Sequence, residues 1–356
     1  MRKLKPTKKL KSNKDTSLKI SACYIVKNEA HNLPKSLDSL KSQVDEIVIV
    51  DTGSTDNTIE IAESYGAKVL TSPWNNDFST PRNLALDNAT GDWIIFLDAD
   101  EYFAKESTIY LRKIIEKAAK QDKNGVLVNL VNIDVDSGNR VLDTTFVLRA
   151  YKKEKGLHYV GRIHEELHTA DGVNIKNMVF ASKDIITLYH TGYSTSINED
   201  KARRNLNFLL NELTLTDDPG RIYGYIAQCY NGLKDYANAE KYAILDINGG
   251  RRDNTFESSS YRILLRILSE AHERIADRLK YTQLASKDFP ETPEFHAELA
   301  ECLSAYKKYP EAIKEMEEAI KCYKHYDSIE PMLFNDNMLK LAENHLNAWR
   351  KIIDKT

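Results

Sequence analysis

Between Leu18 and about Ser194, short apolar runs alternate with segments of helical spacing. Ile20 to Val26 reads as a strand, and Leu33, Leu37 and Leu40 fall on one helical face. Glu46 to Val50 is a second strand, and Thr58 to Ser64 begins a helix carrying Ile59 and Ile61. Lys68 to Leu70 is a short strand. Ser79-Thr80-Pro81 then caps and starts a helix, with Pro81 suited to its first position. A further strand begins at Trp93. This βαβαβαβ order predicts an α/β, Rossmann-like domain with a mostly parallel sheet and helices on both faces. Strands at Val126 to Val135, Thr145 to Tyr151 and Ile185 to Tyr189 read as additions to that sheet.

Beyond Ser196 the pattern changes. Glycine and β-branched runs thin out, and Ala, Leu, Glu, Lys and Tyr at helical spacing dominate. Tyr223, Ala227, Tyr230, Ala239 and Ala243 fit one helix-turn-helix repeat. His296, Ala300, Leu303, Ala312, Met316 and Ala319, preceded by Pro293, fit another. Small residues at Ala227/Ala239 and Ala300/Ala312 allow close helix packing, the tetratricopeptide pattern in degenerate form. Ala227 and Ala300 stand 73 positions apart, which leaves room for one poorly matching repeat between them. An ordinary helical bundle is the alternative. The expected organisation is a basic disordered tail (1–17), an α/β domain (18–195) and an all-α, tetratricopeptide-like domain (196–356).

The chain has 356 residues, 42% of them hydrophobic, enough for more than one core. A net charge of −3 excludes a nucleic-acid binder by charge alone. Cys23, Cys229, Cys302 and Cys322 are far apart, which argues against zinc and a disulfide framework and fits a reducing cytosol. No apolar stretch approaches the roughly 18–20 residues needed to span a bilayer. The N-terminal stretch sets Arg2, Lys3, Lys5, Lys8, Lys9, Lys11, Lys14 and Lys19 against Asp15 alone. No apolar segment follows, so it is not a signal peptide; it reads as a solvated tail or a weak contact with anionic lipid or an acidic partner. The expected location is cytoplasmic, with peripheral contact at the inner membrane surface as the alternative.

Candidate chemistry concentrates where buried strands end in carboxylates. Trp93 to Leu97 runs into Asp98-Ala99-Asp100-Glu101. Unpaired buried charge is costly, so these acids belong where the strand leaves the sheet, the edge at which open α/β sheets bind ligands. Two like charges one residue apart repel, and a shared hard cation relieves this while also holding a diphosphate. Magnesium or manganese would then stabilise charge on a leaving diphosphate. Asp51, ending another strand before Thr52-Gly53-Ser54-Thr55-Asp56, is placed to accept hydrogen bonds from a base or ribose, with Asp56 bracing the loop. Arg82 is suited to neutralise a phosphate or to brace Asp51 or Asp98; Trp74 and Phe78 are candidate pocket walls. His158, His164, His168 and His190 precede the helical part. Gly161-Arg162-Ile163-His164-Glu165-Glu166 offers a base candidate, and His190 at a strand end is a candidate third metal ligand.

Several ordered segments carry a family resemblance. They are Ile25-Val26-Lys27-Asn28-Glu29, Asp51-Thr52-Gly53-Ser54-Thr55-Asp56, Phe78-Ser79 with Arg82-Asn83, Gly91-Asp92-Trp93, Asp98-Ala99-Asp100-Glu101, Ile163-His164-Glu165 and His190-Thr191-Gly192-Tyr193. Together they resemble the family 2 inverting glycosyltransferases of GT-A fold. With the tetratricopeptide-like tail, the chain resembles the bacterial subgroup of peptide S-glycosyltransferases of the sublancin-type glycocins. The resemblance implies that Asp51 contacts uracil or ribose, that Asp98 contacts ribose or metal, and that Asp100 binds the metal with His190 as a further ligand. It also places Val26, Asn28, Glu29 and Arg82 at the nucleotide sugar, and Glu165 as catalytic base with Glu166 as alternative. The base would deprotonate the acceptor during one inverting displacement.

The chain departs from the processive synthases of the family, lacking their Gln-x-x-Arg-Trp motif. The function expected is metal-dependent transfer of a hexose or N-acetylhexosamine from a UDP-sugar to a peptide or protein side chain, a Cys thiol or a Ser/Thr hydroxyl. The helical domain would position that acceptor, and its repeats allow a homo-oligomer. The alternatives are a lipopolysaccharide-core or other cell-envelope glycan as acceptor, or a non-catalytic helical-repeat scaffold.

Overall fold

The computed structural model describes residues 17–354 apart from 164, 193, 217, 252–256, 327 and 329. The basic tail up to residue 16, His164 and Tyr193 therefore lie outside the described residues.

The first part alternates as the apolar runs require: β1 (Ile20–Val26), α1 (Leu33–Asp38), β2 (Glu46–Asp51), α2 (Thr58–Ser64), β3 (Lys68–Thr71), α3 (Ser79–Asn88) and β4 (Trp93–Phe96). Next come β5 (Glu101–Phe103), α4 (Lys105–Lys120), β6 (Gly125–Asp134), β7 (Arg140–Lys152), β8 (His158–Val160), β9 (Glu166–His168), β10 (Met178–Phe180) and β11 (Thr187–His190). One curled sheet runs β3-β2-β1-β4-β7-β6-β11-β5, with β10 beside β6, while β8 and β9 form a separate ribbon. β3, β2, β1 and β4 are mutually parallel, as is β11 with β6 and β10 with β6. β7 is antiparallel to both β4 and β6, and β5 is antiparallel to β11.

Strands buried on both faces read as continuous apolar runs, and β2 and β4 do. Val48, Ile49, Val50, Ile94 and Ile95 are fully buried. The sheet carries one apolar cluster through Ile20, Leu33, Leu37, Leu40 and Ile49, and another through Val48, Ala85, Leu86 and Phe96. At Gly91 a Cβ would meet the Ser21 backbone nitrogen and hydroxyl at 2.7 Å, so only glycine allows the turn into β4 to pack there.

Some elements differ from expectation. The helix at Pro81 starts two residues earlier, at Ser79, because Asp77 caps it: its Oδ1 accepts from the backbone N–H of Ser79 (2.8 Å) and Thr80 (3.3 Å). Helix α4 adds to the expected elements, with Leu111, Ile115 and Ala118 lining its buried face at helical spacing. β7 extends from Arg140 rather than from Thr145, paired along β6.

The second part is all helical: α5 (Thr195–Leu213), α6 (Gly220–Gly232), α7 (Tyr236–Asn248), α8 (Ser259–Glu270), α9 (Ile275–Asp288), α10 (Pro293–Ala305), α11 (Tyr309–Lys324) and α12 (Asp336–Ile353). Both expected repeats are helical hairpins, α6/α7 and α10/α11, with Ala227, Ala239, Ala243, Ala300, Ala312 and Ala319 fully buried between their helices. The α8/α9 hairpin fills the interval between them. A shared apolar cluster joins Ile163 and Phe78 of the sheet domain to Leu206, Leu209, Ile222 and Ile226 of α5 and α6. The helices are thereby held against one edge of the sheet.

Candidate active site

β1 lies between β2 and β4, and all three run the same way. Their carboxyl ends, and the loops that follow, therefore open on one edge at the point where strand order reverses. A cavity of about 1290 Å³ lies there, lined by both the sheet edge and the helical hairpins. Val26, Glu29, Arg82, Asp98, Asp100, Glu165 and His190 all line it.

Asp51 is 2% exposed, and its carboxylate accepts from the backbone N–H of Gly53 (2.9 Å) and Ser54 (3.0 Å) of its own turn. It is Thr52, not Asp51, that lines the cavity. Asn28, in the left-handed region at φ 55°, accepts from the Thr55 N–H through Oδ1 (2.7 Å) and donates its own N–H to Ser54 Oγ (2.8 Å). The contacts of Asn28 thus tie the β1 and β2 loops together, and those of Asp51 hold its own turn. Asp56 braces the same loops, accepting from the N–H groups of Ala30 (3.2 Å) and Thr58 (3.1 Å). Glu29 does face the cavity; burial, with the charges of Asp100, Asp98 and Asp56, outweighs its Asn32 hydrogen bond and pushes its carboxyl up to about 7.

Asp98 sits in an arginine clamp. Arg82 Nη2 donates to Asp98 Oδ1 at 2.8 Å, and Arg149 Nη2 lies 3.6 Å from Oδ2. Arg149 also holds the buried Glu101 through two parallel bonds of 2.8 and 2.6 Å. Arg82 forms an ion pair with Glu165 and lies over the rings of Phe96 (4.6 Å) and Tyr159 (5.6 Å). Burial opposes ionisation of Asp98, but Arg82, Arg149 and His190 outweigh it and hold the carboxyl well below the usual range. Arg82 therefore braces Asp98 and Glu165 rather than pointing at an open phosphate position. Glu165 borders the cavity; Glu166 instead lies on β9, its Oε2 3.2 Å from His168 Nε2.

Asp100 is turned the other way. Its Oδ2 lies 3.3 Å from His190 Nε2, and the contact with His190, with nearby Lys201, depresses its carboxyl against the effect of burial. Gly192 leaves this space open, because a Cβ there would collide with Asp100 Oδ2 and His190 Nε2. The structure thus brings together two of the three expected metal ligands. Asp98 is taken by the arginines, and among the described residues no three acidic, imidazole or thiol groups form a cage. A carboxylate and an imidazole nitrogen at this separation still fit one hard cation, since adjacent ligands about 2.1 Å from a metal lie about 3 Å apart. The remaining positions would belong to diphosphate and water.

Sequence reasoning missed several cavity residues. Arg149 was hidden in a strand, and Asn132 and Asp143 are polar positions in and opposite a largely apolar one, a signal that was available. Lys201 and Arg204 of α5 also line the cavity, with Lys201 Nζ 3.4 Å from the Gly192 carbonyl. Trp74 and Phe78 do form a wall, their rings 4.7 Å apart and edge-to-face, with Phe208 of α5 beyond.

Residues 21–180 match the family model described as Glycosyl transferase family 2. This segment is a family 2 glycosyltransferase domain. The SPbeta prophage-derived glycosyltransferase SunS of Bacillus subtilis is 29% identical over 238 residues, covering 61% of this chain and 54% of SunS. The TPR repeat-containing protein Synpcc7942_0270 of Synechococcus elongatus is 49% identical over 98 residues, 28% of this chain and 24% of that protein. The chain therefore spans between about a quarter and about half of the length of these relatives. A crystal structure of S. aureus TarS 1-349 in complex with UDP-GlcNAc is similar over 90% of this chain and 97% of that one, at 16% identity and TM-score 0.39.

Proposed function

We propose that this chain is a cation-dependent inverting glycosyltransferase that moves a hexose or N-acetylhexosamine from a UDP-sugar to a peptide or protein side chain. The observation that carries the reading is the convergence of Asp98, Asp100, His190 and Glu165 on one cavity at the carboxyl edge of a family 2 domain. Asp100 and His190 would hold the cation, which when bound neutralises the diphosphate of the donor. Lys201 lies in the field of Asp98 and Asp100, and Arg204 in that of Asp100 and Glu29, so both can balance charge that grows on the leaving diphosphate.

Glu165 is the proposed base. Its pairing with Arg82 fixes its position at the cavity border. The acceptor oxygen or sulfur loses its proton to Glu165 and bonds to the anomeric carbon. The bond from that carbon to the phosphate oxygen breaks, its electron pair leaves with UDP, and the configuration inverts. A Cys thiol, with its lower pKa, would need less of this help than a hydroxyl. We read 18–195 as the donor domain and 196–356 as the acceptor side. The cavity wall made by α5 to α8 and the TPR name of one relative support the second half of that reading.

The test is nucleotide release from a panel of UDP- and GDP-sugars with Mn²⁺. Release from one UDP-sugar that falls about a hundredfold or more in Asp100→Ala is expected. Release unaffected by Asp100→Ala or by chelator would overturn cation dependence. No binding of any nucleotide sugar would overturn the transferase reading.

A further inference from the structure

Three polar side chains lie in one row across the sheet. Asp143 of β7 stands opposite Asn132 of β6, and Asn132 stands opposite His190 of β11. Directly opposed residues share a face of the sheet, so these side chains meet. Asn132 is 5% exposed and His190 6%, and β6 around them is built of Leu130, Val131 and Ile133. Polar groups so deeply buried are kept only when they are hydrogen-bonded.

Their bonding has a direction. Asn132 Nδ2 donates to Asp143 Oδ1 at 2.6 Å, and Asn132 Oδ1 lies 2.6 Å from His190 Nδ1. A carboxylate only accepts, so it draws the amide nitrogen of Asn132 to its side. The amide oxygen is then left facing the imidazole. That oxygen also only accepts, so the proton must be on Nδ1 of the ring. Nε2 is the atom turned to Asp100, at 3.3 Å. In a neutral ring Nε2 presents its lone pair to a carboxylate, an arrangement relieved by a cation held between the two. The negative end of the row thus reaches the cavity, through two hydrogen bonds, as a choice of imidazole tautomer.

We propose that Asp143, acting through Asn132, is a positioning pair that sets His190 with Nδ1 protonated and Nε2 directed at Asp100 as a cation ligand. The assignment rests on the reading of His190 and Asp100 as cation ligands. Outer partners of this kind orient a metal-binding histidine and typically change metal affinity by about 10- to 100-fold.

The experiment uses the full chain labelled with ¹⁵N-histidine. Long-range ¹H–¹⁵N spectra of the metal-free protein, above the ordinary histidine pKa, report the His190 tautomer directly. Mn²⁺ affinity is measured separately by electron paramagnetic resonance. Wild type is expected to show Nδ1–H. Asp143→Asn frees the amide to turn over, and Asn132→Leu removes the acceptor. Each is expected to mix the tautomers and weaken Mn²⁺ binding about 10- to 100-fold. The double change Asn132→Asp with Asp143→Asn keeps an acceptor facing Nδ1 and should restore both readings, which a merely structural role would not do. It also serves if Asn132→Leu does not fold.

Wild-type tautomer and affinity in both single variants would overturn the proposal. Mn²⁺ binding that Asp100→Ala abolishes but Asp143→Asn leaves intact would overturn the positioning role alone and keep the cation reading. A tautomer that follows the row in a protein that binds no Mn²⁺ would uphold the positioning and remove the cation reading.

Discussion

Arginine–carboxylate pairs recur in both halves of the molecule, but to different ends. In the helical half several such pairs join one helix to another. Arg262 of α8 binds Glu294 of α10 and donates to the Pro331 carbonyl at 2.6 Å. Arg274 grips Glu240 of α7 through bonds of 2.7 and 2.9 Å, and Arg278 of α9 pairs with Glu298 of α10. At the sheet edge, Arg82 and Arg149 come from α3 and β7 and meet on Asp98. Those carboxylates keep a side toward the cavity, together with Asp100 and His190. Charge pairing by itself therefore does not mark a site. What marks it is convergence of several elements on a space that a ligand can enter.

The largest expected effect separates Glu165 from its neighbour. Glu165→Gln should lower glycosyl transfer about 10²- to 10⁴-fold, as loss of a general base does, while Glu166→Gln stays within about twofold. Transfer rates on the preferred acceptor, scaled to folded protein, decide it. An unimpaired Glu165→Gln variant would make its pair with Arg82 a staple like those of the repeats.

Next in size is a change in the repeats themselves. Arg262→Met strands the buried Glu294 and should cost about 3 kcal/mol of stability in a urea titration. Nucleotide release per folded molecule should not change. A loss of release at full foldedness would show that the helical pairs also serve the chemistry.

The smallest effect is on pH dependence. Glu29 is held up to about 7 in the folded protein, chiefly by burial. In the unfolded chain its carboxyl ionises near the ordinary value of about 4.3. Between these values the folded state keeps a proton that the unfolded state has released. Stability of the metal-free protein should therefore fall as pH rises through that window and then level off. Glu29→Gln should remove this decline, leaving the variant more stable than wild type above the window. Parallel stability–pH curves for the two proteins would show that Glu29 is not so poised.

Much of the fold was legible because each element carries its own signature. β2 and β4 announce themselves as apolar runs, and the alanines at 227, 239, 300 and 312 mark close helix crossings by their spacing alone. β5, β8, β9 and β10, three residues each, are too short to show a period, and the partners of β5 and β10 are distant in sequence. The cavity residues divide similarly. Asp98, Asp100, Glu165 and His190 stand at strand ends or in acidic turns, where burial alone would not tolerate them. Lys201 and Arg204 are ordinary helix-surface residues until α5 packs against the sheet edge.

The α/β order, the carboxyl edge where acids gather and the repeated helical hairpins are written into the residue pattern, because periodicity and the cost of buried charge act locally. Which acid meets which base was left to tertiary packing. It gave Asp98 to two arginines, turned Asp100 toward His190, folded Asp51 onto its own turn and set Asp143, Asn132 and His190 in one row. Those choices depend on strand order and register, which bring together residues up to about a hundred positions apart, and no local pattern carries that information.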